Sequence, residues 1–251
     1  MVTSRQNPLL KTYRELHDAR GRRDHGLWLL EGVHLVDEAL RHGLSLHSVL
    51  WSRRLPPGLL ERVPSGVRLE EVDDDLLDYV STTKTAQAVA AAVKMPADRR
   101  PDPGRAWLVL DAVSDPGNLG NLVRTGAAAG IGGVVLWGAC ADPGNPKALR
   151  SSAGTLLWVP VVPGSEEVLA GRDLVAATSH PGACYDDPGL DGLWRGPVAL
   201  VIGSEAHGVS AEVVARLKNA VHIPMAPGVE SLNAAAAGAV LLFHVGRLRR
   251  S

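Results

Sequence analysis

VHIPMAPGVESLNAAAAGAVLLFHV, residues 221–245, is the segment around which the predicted architecture of this chain is arranged. It predicts a short apolar strand, a turn rich in proline and glycine, and an alanine-rich helix over 231–247. Ser231 and Asn233 lie where that helix is expected to begin, and a helix amino terminus offers unpaired N–H groups and a partial positive charge. Glycine in the turn lets a ligand approach the backbone closely. The stretch therefore predicts a site for a polar ligand.

Strands and helices alternate upstream of this stretch, starting at Trp107. The strands are apolar on both faces, which is typical of a parallel sheet covered by helices. The pattern predicts an open α/β sheet of five or six strands within 105–251, with its ligand beyond the carboxyl ends of the strands. Residues 96–104 hold three prolines, a glycine and two arginines, and such a composition predicts a linker.

A smaller α/β domain is predicted over residues 1–95, because strands and helices alternate there as well. Its opening is basic, and a helix is predicted over residues 8–20. The positive side chains predict a phosphate-binding edge, with a solvated helix as the alternative. These side chains are Arg5, Lys11, Arg14, Arg20, Arg22 and Arg23.

Composition restricts the class of protein. The 251 residues suffice for one large domain or two modest ones, and a net charge of −1 neither requires nor excludes nucleic acid. The two cysteines lack zinc-site or disulfide spacing, so we expect no metal. No apolar run approaches the roughly 20 residues of a membrane span. The opening also lacks the apolar core of a secretory signal, so we expect a cytoplasmic protein.

Three strand-to-helix turns carry polar residues suited to chemistry. The first, DPGNLGNLVRTG over 115–126, contains Asn118 and Arg124. The second, IGSEAHGVS over 202–210, contains Glu205, and the third is the stretch quoted above. None shows the GxGxxG pattern of a dinucleotide site, and the Gly-Lys-Ser/Thr ending of a P-loop is absent. These turns therefore argue against NAD and ATP as ligands.

In this order, and with KALRSSAG (147–154) between the first two, the three segments resemble the signature motifs of the SpoU/TrmH branch of the SPOUT methyltransferases. The resemblance covers about 105–247. It implies that the chain transfers a methyl group from S-adenosylmethionine to a ribose 2′-hydroxyl of RNA. The segments SRQNPLLK and LLEGVHLVDEAL resemble the L30e-like substrate-binding domain of members that act on ribosomal RNA.

The resemblance implies a fold, an assembly and a substrate. It implies an α/β protein with a C-terminal SPOUT domain, whose mostly parallel sheet contains a deep trefoil knot, and a smaller L30e-like N-terminal domain. Family members dimerise through the knotted region, so it also implies a homodimer. 23S ribosomal RNA is the favoured substrate, and transfer RNA is the alternative within the same class. A non-catalytic RNA-binding or ribosome-assembly protein that keeps the knotted fold is the alternative from another class.

The resemblance also implies roles for individual residues. The catalytic positions of the motifs match Asn118, Arg124, Glu205, Ser231 and Asn233. The methyl donor is expected against Ile202, Gly203, Ile223, Met225, Ser231, Leu232 and Asn233. From their positive charge rather than from the resemblance, RNA is expected to contact Arg5, Lys11, Arg22, Arg23 and Arg150.

Arg124 is the residue on which the chemistry is expected to depend most. It lies on an otherwise apolar helix, where a buried arginine would need a reason. An arginine is a poor base, so we expect it to bind a phosphate and to stabilise the developing alkoxide. Glu205 and Asn118 are expected to hold it.

Each of the other polar positions has a structural alternative. Asn118 and Ser231 are also suited to capping helices, Glu205 to anchoring its own turn, and Arg150 to a surface salt bridge. Two sites depart from the usual motif pattern, with Ala206 in place of a glycine and alanines at 234 and 235 in place of Val-Ser. They affect only the expected shape of the donor loop.

Overall fold

The computed structural model describes residues 4–97, 99–178 and 182–250. The chain divides into two compact units, Met1–Ala97 with Asp142–Trp158, and Asp98–Ala141 with Val159–Ser251. Residue 98 of the predicted linker lies outside the described residues, as do residues 1–3 and 251 at the ends of the predicted domains. The predicted domain boundaries stay a prediction, and the structure assigns 142–158 to the first unit.

The first unit contains a four-stranded mixed sheet. Its elements up to residue 97 are α1 (Pro8–Glu15), α2 (Ala19–His25), β1 (Leu27–Glu31), α3 (Val33–Arg41), β2 (Leu46–Trp51), β3 (Arg68–Glu71), α4 (Asp74–Val80) and β4 (Val89–Lys94), with a short 3-10 helix at Leu60–Arg62. The strand order is β1-β4-β2-β3, and only the β2–β3 pair is parallel. The α/β class predicted for this part of the chain is confirmed.

The single helix predicted over 8–20 is in fact two helices. The first ends at Glu15, and the N–H of the next residue, Leu16, bonds back to carbonyls of the preceding turn. Asp18 then takes an extended conformation before α2 begins. Gly21 allows α2 to fold against the end of α1, because a Cβ at this position would lie 2.0 Å from the Glu15 carbonyl oxygen. A periodicity of apolar residues does not reveal such a close approach of two backbones.

The remaining elements follow from residue 107 onward. They are β5 (Trp107–Asp111), α5 (Pro116–Ala129), β6 (Gly133–Trp137), α6 (Pro146–Ser151), β7 (Val161–Pro163), α7 (Glu166–Leu169), β8 (Asp173–Ala177), β9 (Ala183–Cys184), α8 (Asp191–Arg195), β10 (Val198–Gly203), α9 (Ala211–Val214), β11 (Leu217–His222) and α10 (Ala234–Arg250), with 3-10 helices at Thr155–Leu157 and Pro188–Leu190. All of them except α6 and the 3-10 helix at Thr155–Leu157 belong to the second unit.

The second unit contains a seven-stranded parallel sheet in the order β7-β6-β5-β10-β8-β11-β9. The predicted parallel α/β architecture is confirmed. The number of strands exceeds the predicted five or six because the sheet ends in β9, a strand of only two residues. Strands this short leave no periodicity in the sequence. The trefoil knot stays a prediction.

Helix α10 packs closely on α5. A Cβ at Gly238 would lie 2.2 Å from Cδ2 of Leu122, and one at Gly246 would lie 2.4 Å from the Ala129 carbonyl oxygen. Glycine at both positions therefore permits this approach. No helix within the described ranges is long and apolar enough to cross a membrane.

Candidate active site

The loops that carry the three motifs leave one edge of the parallel sheet. Asp111 at the end of β5 is the register partner of Gly203 at the end of β10, so the loops that follow these strands begin side by side. Strand β11 runs in the same direction two positions further along the sheet. Polar residues that are far apart in the sequence therefore meet at the carboxyl ends of the strands, as the fold class predicts.

One residue from each motif joins a hydrogen-bonded chain of side chains. The Asn118 amide nitrogen Nδ2 donates to Oε1 of Glu205. The Asn233 Nδ2 donates to Oδ1 of Asn118 at 3.2 Å. Asn118 therefore lies in the middle and uses both ends of its amide. We call these three residues the amide–carboxylate triad.

Helix capping explains how two members of the triad are held. Helix α5 begins at Pro116 because Asp115 caps it and accepts a 2.8 Å hydrogen bond from the Asn118 N–H. The Asn118 side chain is thereby free to bond to Glu205. At the other helix, the Asn233 Oδ1 accepts from the N–H of Ala235 at 2.9 Å.

The beginning of α10 also decides between two interpretations of Ser231. The helix starts at Ala234 rather than at 231, and Asn233 is the residue whose side chain caps it. Ser231 is exposed and makes no hydrogen bond within the described part of the chain. Its position in the loop before α10 leaves the hydroxyl accessible to a ligand.

Arg124 lies apart from the triad. It is six residues beyond Asn118 on α5, which places the two side chains roughly 120° apart around the helix. Its side chain is exposed rather than buried, and among the described residues it has no hydrogen bond or ion pair. The expectation that Glu205 and Asn118 hold Arg124 is therefore corrected, because Asn118 bonds instead to Glu205 and to Asn233. The guanidinium remains accessible to a phosphate.

Asp111 is a residue of this site that the sequence analysis did not identify. It is a charged side chain only 1% exposed, and its Oδ2 accepts a 2.6 Å hydrogen bond from the Ser210 N–H. Ser210 ends the loop that carries Glu205, and that loop is closed by reciprocal 2.9 Å bonds between Ser204 and Gly208. Asp111 thus anchors the loop to the sheet. The sequence feature that indicates such a residue is an apolar strand, β5, that ends in an aspartate.

Replacing Asp111 by alanine is expected to loosen this loop. A hydrogen bond to a charged acceptor contributes about 1.5–3 kcal/mol, so the opening equilibrium of the loop should rise roughly 10- to 100-fold. Hydrogen–deuterium exchange of the peptide covering 203–210 would measure the change. The exposed carboxylate Glu212 provides the control, and its alanine variant should exchange like the wild type. Unchanged exchange in a folded Asp111→Ala variant would contradict the anchoring role.

The residues expected to contact a methyl donor line the ends of β10 and β11 and the loop before α10. Ile202 is 3% exposed and Gly203 ends its strand, whereas Ile223 and Met225 are half-buried. Leu232 is exposed. Together they place apolar side chains beside polar backbone at the carboxyl edge of the sheet.

Two buried polar atoms close to the ends of β10 and β11 have no hydrogen-bond partner in the described chain. They are the Ser210 hydroxyl oxygen and the His222 Nδ1. Buried polar atoms are usually paired, so these two are exceptions among the described residues. The described residues contain no group of three His, Cys, Asp or Glu side chains placed to hold a metal ion.

The predicted RNA-binding residues fall into two groups. Arg5, Lys11 and Arg23 are exposed on the first unit, and the Arg5 guanidinium lies 5.0 Å from the ring centre of Tyr79. These three stay in the predicted set, because their charges are accessible to phosphates.

Arg22 is removed from that set. Arg22 is only 2% exposed. Its guanidinium donates to Asp142 Oδ2 at 2.6 Å and to the carbonyl oxygens of Leu16 and His17, each at 2.8 Å. A guanidinium that is buried and bonded to protein acceptors is not accessible to RNA.

Arg150 has the salt bridge that the sequence analysis gave as its alternative role. Its guanidinium bonds to Oε2 of Glu31 and to the Thr82 hydroxyl at 2.7 Å. Glu31 also accepts a 2.8 Å bond from the Thr82 N–H. The arginine side chain is one-third exposed, so part of its surface is still open to a ligand.

Comparison with known families gives matches to both parts of the chain. Residues 105–243 match the SpoU rRNA Methylase family, and residues 7–91 match the MRM3-like substrate binding domain. All members of the amide–carboxylate triad, together with Arg124, lie inside the first match.

Individual relatives match over nearly the whole length. The chain is 36% identical to the uncharacterized tRNA/rRNA methyltransferase slr1673 of Synechocystis, covering 98% of this chain and 93% of that protein. It is 33% identical to the Bacillus subtilis 23S rRNA (guanosine(2553)-2′-O)-methyltransferase RlmP, covering 97% and 98%.

A solved structure with its cofactor bound has the same fold. It is that of the SpoU methyltransferase AviRb from Streptomyces viridochromogenes in complex with AdoMet, with a TM-score of 0.84 and 30% identity. The match covers 97% of this chain and 99% of that one.

Proposed function

Because this chain belongs to the SpoU rRNA methylase family, we propose that it methylates a ribose 2′-hydroxyl of ribosomal RNA with S-adenosylmethionine as the donor. The observation that carries the proposal is the amide–carboxylate triad, which unites one polar residue from each motif at the ligand-binding edge of the sheet. A protein that used the fold only as a scaffold would not need these three side chains to meet.

The residues at the carboxyl edge of the sheet fit the methyl donor. S-Adenosylmethionine combines an adenine ring with a polar ribose and a zwitterionic amino-acid group. Ile223, Met225 and Leu232 offer apolar surface for the ring, and the exposed Ser231 hydroxyl offers a polar contact. The donor would supply an activated methyl group on a sulfonium.

The protein's own task is then to position the ribose and to manage its charge. Transfer requires an in-line approach of the 2′-oxygen to the methyl carbon, so orientation contributes much of the rate. The triad ties together the three loops that would enclose the reactants. Arg124, exposed on α5, would bind the adjoining phosphate and stabilise the negative charge that develops on the oxygen. A guanidinium stays protonated, so the proton of the hydroxyl must go to another acceptor.

Ribosomal RNA is the substrate that we propose over transfer RNA. The support is the 33% identity to RlmP, an enzyme named for 23S rRNA, over 97% of this chain, together with the match of residues 7–91 to a substrate binding domain. Such a substrate would place the protein in the cytoplasm.

We further propose that the chain acts as a homodimer through α10. Val240 and Phe243 lie on this helix and are 37% and 48% exposed, and a second copy would cover both of them. Sedimentation of the purified protein at the mass of one chain would contradict this assembly.

The proposed activity is tested by transfer of labelled methyl groups to 23S rRNA from cells that lack the protein. We expect incorporation at a single ribose, mapped by primer extension at low nucleotide concentration. A Glu205→Ala variant, which breaks the triad, should incorporate much less label. Label in transfer RNA but not in ribosomal RNA would select the alternative substrate, and failure to bind S-adenosylmethionine would favour a non-catalytic RNA-binding protein.

A further inference from the structure

An open cavity of about 550 Å³ lies at the edge of the second unit's sheet opposite to the motif loops. Its walls come from segments that precede strands, at Gly104 to Ala106 and at Ile131, and from the last turns of α5 and α10. Since the strands are parallel, the segments that precede them lie at the other edge from the segments that follow them. The 17 residues of α10 separate the two edges by about 25 Å.

Arginine dominates the charged residues of this cavity. Its lining includes Arg105, Arg195, Arg249 and Arg250, and the described residues that line it include no acid. Arg195 and Arg250 are exposed and have no ion pair among the described residues. Arg105 is paired with Asp102 at 3.2 Å, where both side chains are more than half exposed. In a chain of net charge −1, such a cluster concentrates positive charge at one place.

Backbone acceptors hold Arg249 in place. Arg249 donates to the carbonyl oxygens of Trp194, Arg195 and Gly196 at 3.1, 2.9 and 2.6 Å, and to that of Gly104 at 2.8 Å. These acceptors are neutral, so they orient the guanidinium without cancelling its charge.

Arg172 adds a second ordered guanidinium beside the cavity. It lies 3.9 Å from the ring centre of Trp107 and bonds to the carbonyl oxygens of Pro103 and Arg105. Burial, and then the charge of nearby Arg249, hold the pKa of Arg172 below its ordinary value.

If the four lining arginines only stabilised nearby helix ends and an ion pair, much of their positive charge would have no partner. Arginines near a helix carboxyl terminus stabilise its partial negative charge, which is about half a unit for each helix. Two helix ends and Asp102 therefore leave a surplus of about two positive charges on the four lining arginines. Guanidinium groups pair with phosphates through two parallel hydrogen bonds, and an open cavity admits a polymer.

We propose that this arginine cavity binds phosphates of the RNA substrate, at a distance from the nucleotide that is methylated. This inference rests on the proposed function for the identity of the RNA. It adds a second contact surface on the methyltransferase part of the chain, separate from the basic residues of the first unit. The extra contacts would increase affinity without touching the reacting ribose.

The test compares the salt dependence of RNA binding. The double variant Arg195→Ala/Arg250→Ala removes the two unpaired guanidinium groups, and Arg53→Ala/Arg68→Ala removes two exposed arginines that are each paired with a glutamate. A transcript of 23S rRNA serves as the probe, and Kd is measured between about 50 and 300 mM KCl.

The cavity variant should bind more weakly, and its plot of log K against log salt should be less steep by about 1.4–1.8, the loss of two phosphate contacts. The lysine variant Arg195→Lys/Arg250→Lys keeps the charges and should restore most of the slope. The control variant should match the wild type, and S-adenosylmethionine affinity should be equal in all four proteins. A cavity variant with the wild-type slope would overturn the inference.

This outcome is distinguishable from failure of the proposed function. Methyl transfer by the wild type together with an unchanged slope would overturn the cavity alone. A reduced slope in a protein that transfers no methyl group to ribosomal RNA would support the cavity as an RNA-binding site and overturn the proposed activity.

Discussion

Replacing Arg124 by alanine is expected to slow methyl transfer about 100- to 1,000-fold, the usual cost of removing one donor that stabilises charge in a transition state. The structure leaves this guanidinium exposed on α5 and without a protein partner among the described residues, so its removal should not disturb the fold. Binding of S-adenosylmethionine, measured by calorimetry, should be unchanged. Single-turnover transfer to 23S rRNA would measure the rate.

Two further variants identify what Arg124 contributes. Arg124→Lys keeps the charge but loses the planar fork, so its rate should fall between those of the wild type and the alanine variant. Asn121, exposed one turn earlier on the same helix, is the matched control, and Asn121→Ala should transfer at the wild-type rate. If Arg124→Ala were as active as the wild type, the proposed mechanism would be wrong.

Replacing Arg22 by alanine is expected to destabilise the first unit by about 3 kcal/mol. This is the lower end of the range seen when one partner of a buried ion pair is removed. The loss leaves Asp142 without its 2.6 Å partner. It also leaves the carbonyl oxygens of Leu16 and His17 without the bonds that Arg22 donates. Denaturant unfolding followed by circular dichroism would measure the change in the free energy of unfolding.

Arg23 provides a control that differs by one position. Its side chain is exposed, so Arg23→Ala should change the free energy of unfolding by less than about 0.5 kcal/mol and should weaken RNA binding instead. The two neighbouring arginines thus have opposite expected effects. Equal stability of Arg22→Ala and Arg23→Ala would contradict the structural role of the buried guanidinium.

The architecture of the second unit was accessible from the sequence because parallel strands buried on both faces form continuous apolar runs. The same runs located the motif loops, since ligands of such sheets bind where the strands end. The first residue of each helix was harder to predict from the sequence. Helix α5 begins at Pro116 and α10 at Ala234, because capping by Asp115 and Asn233 decides the first residue, and a cap is a single side-chain contact.

Burial of single charged residues was not accessible from the sequence. Arg22 and Arg23 are equivalent as letters in a basic segment, and only the packing of α2 within the first unit buries one of them beside Asp142. Asp111 likewise becomes a loop anchor only because β10 pairs with β5 and brings Ser210 to it. The arginine cavity depends on segments that are nearly 150 residues apart, such as Gly104 and Arg249.

By itself, the sequence determined the α/β class, the order of the three motifs and the family to which they belong, because apolar periodicity and motif spacing are local properties of the chain. The tertiary structure alone decided which polar side chains meet. It joined Asn118 to Glu205 and Asn233, and it left Arg124 outside that group. The physical reason is that hydrogen bonds between distant residues depend on strand pairing and helix rotation, which no single stretch of sequence contains.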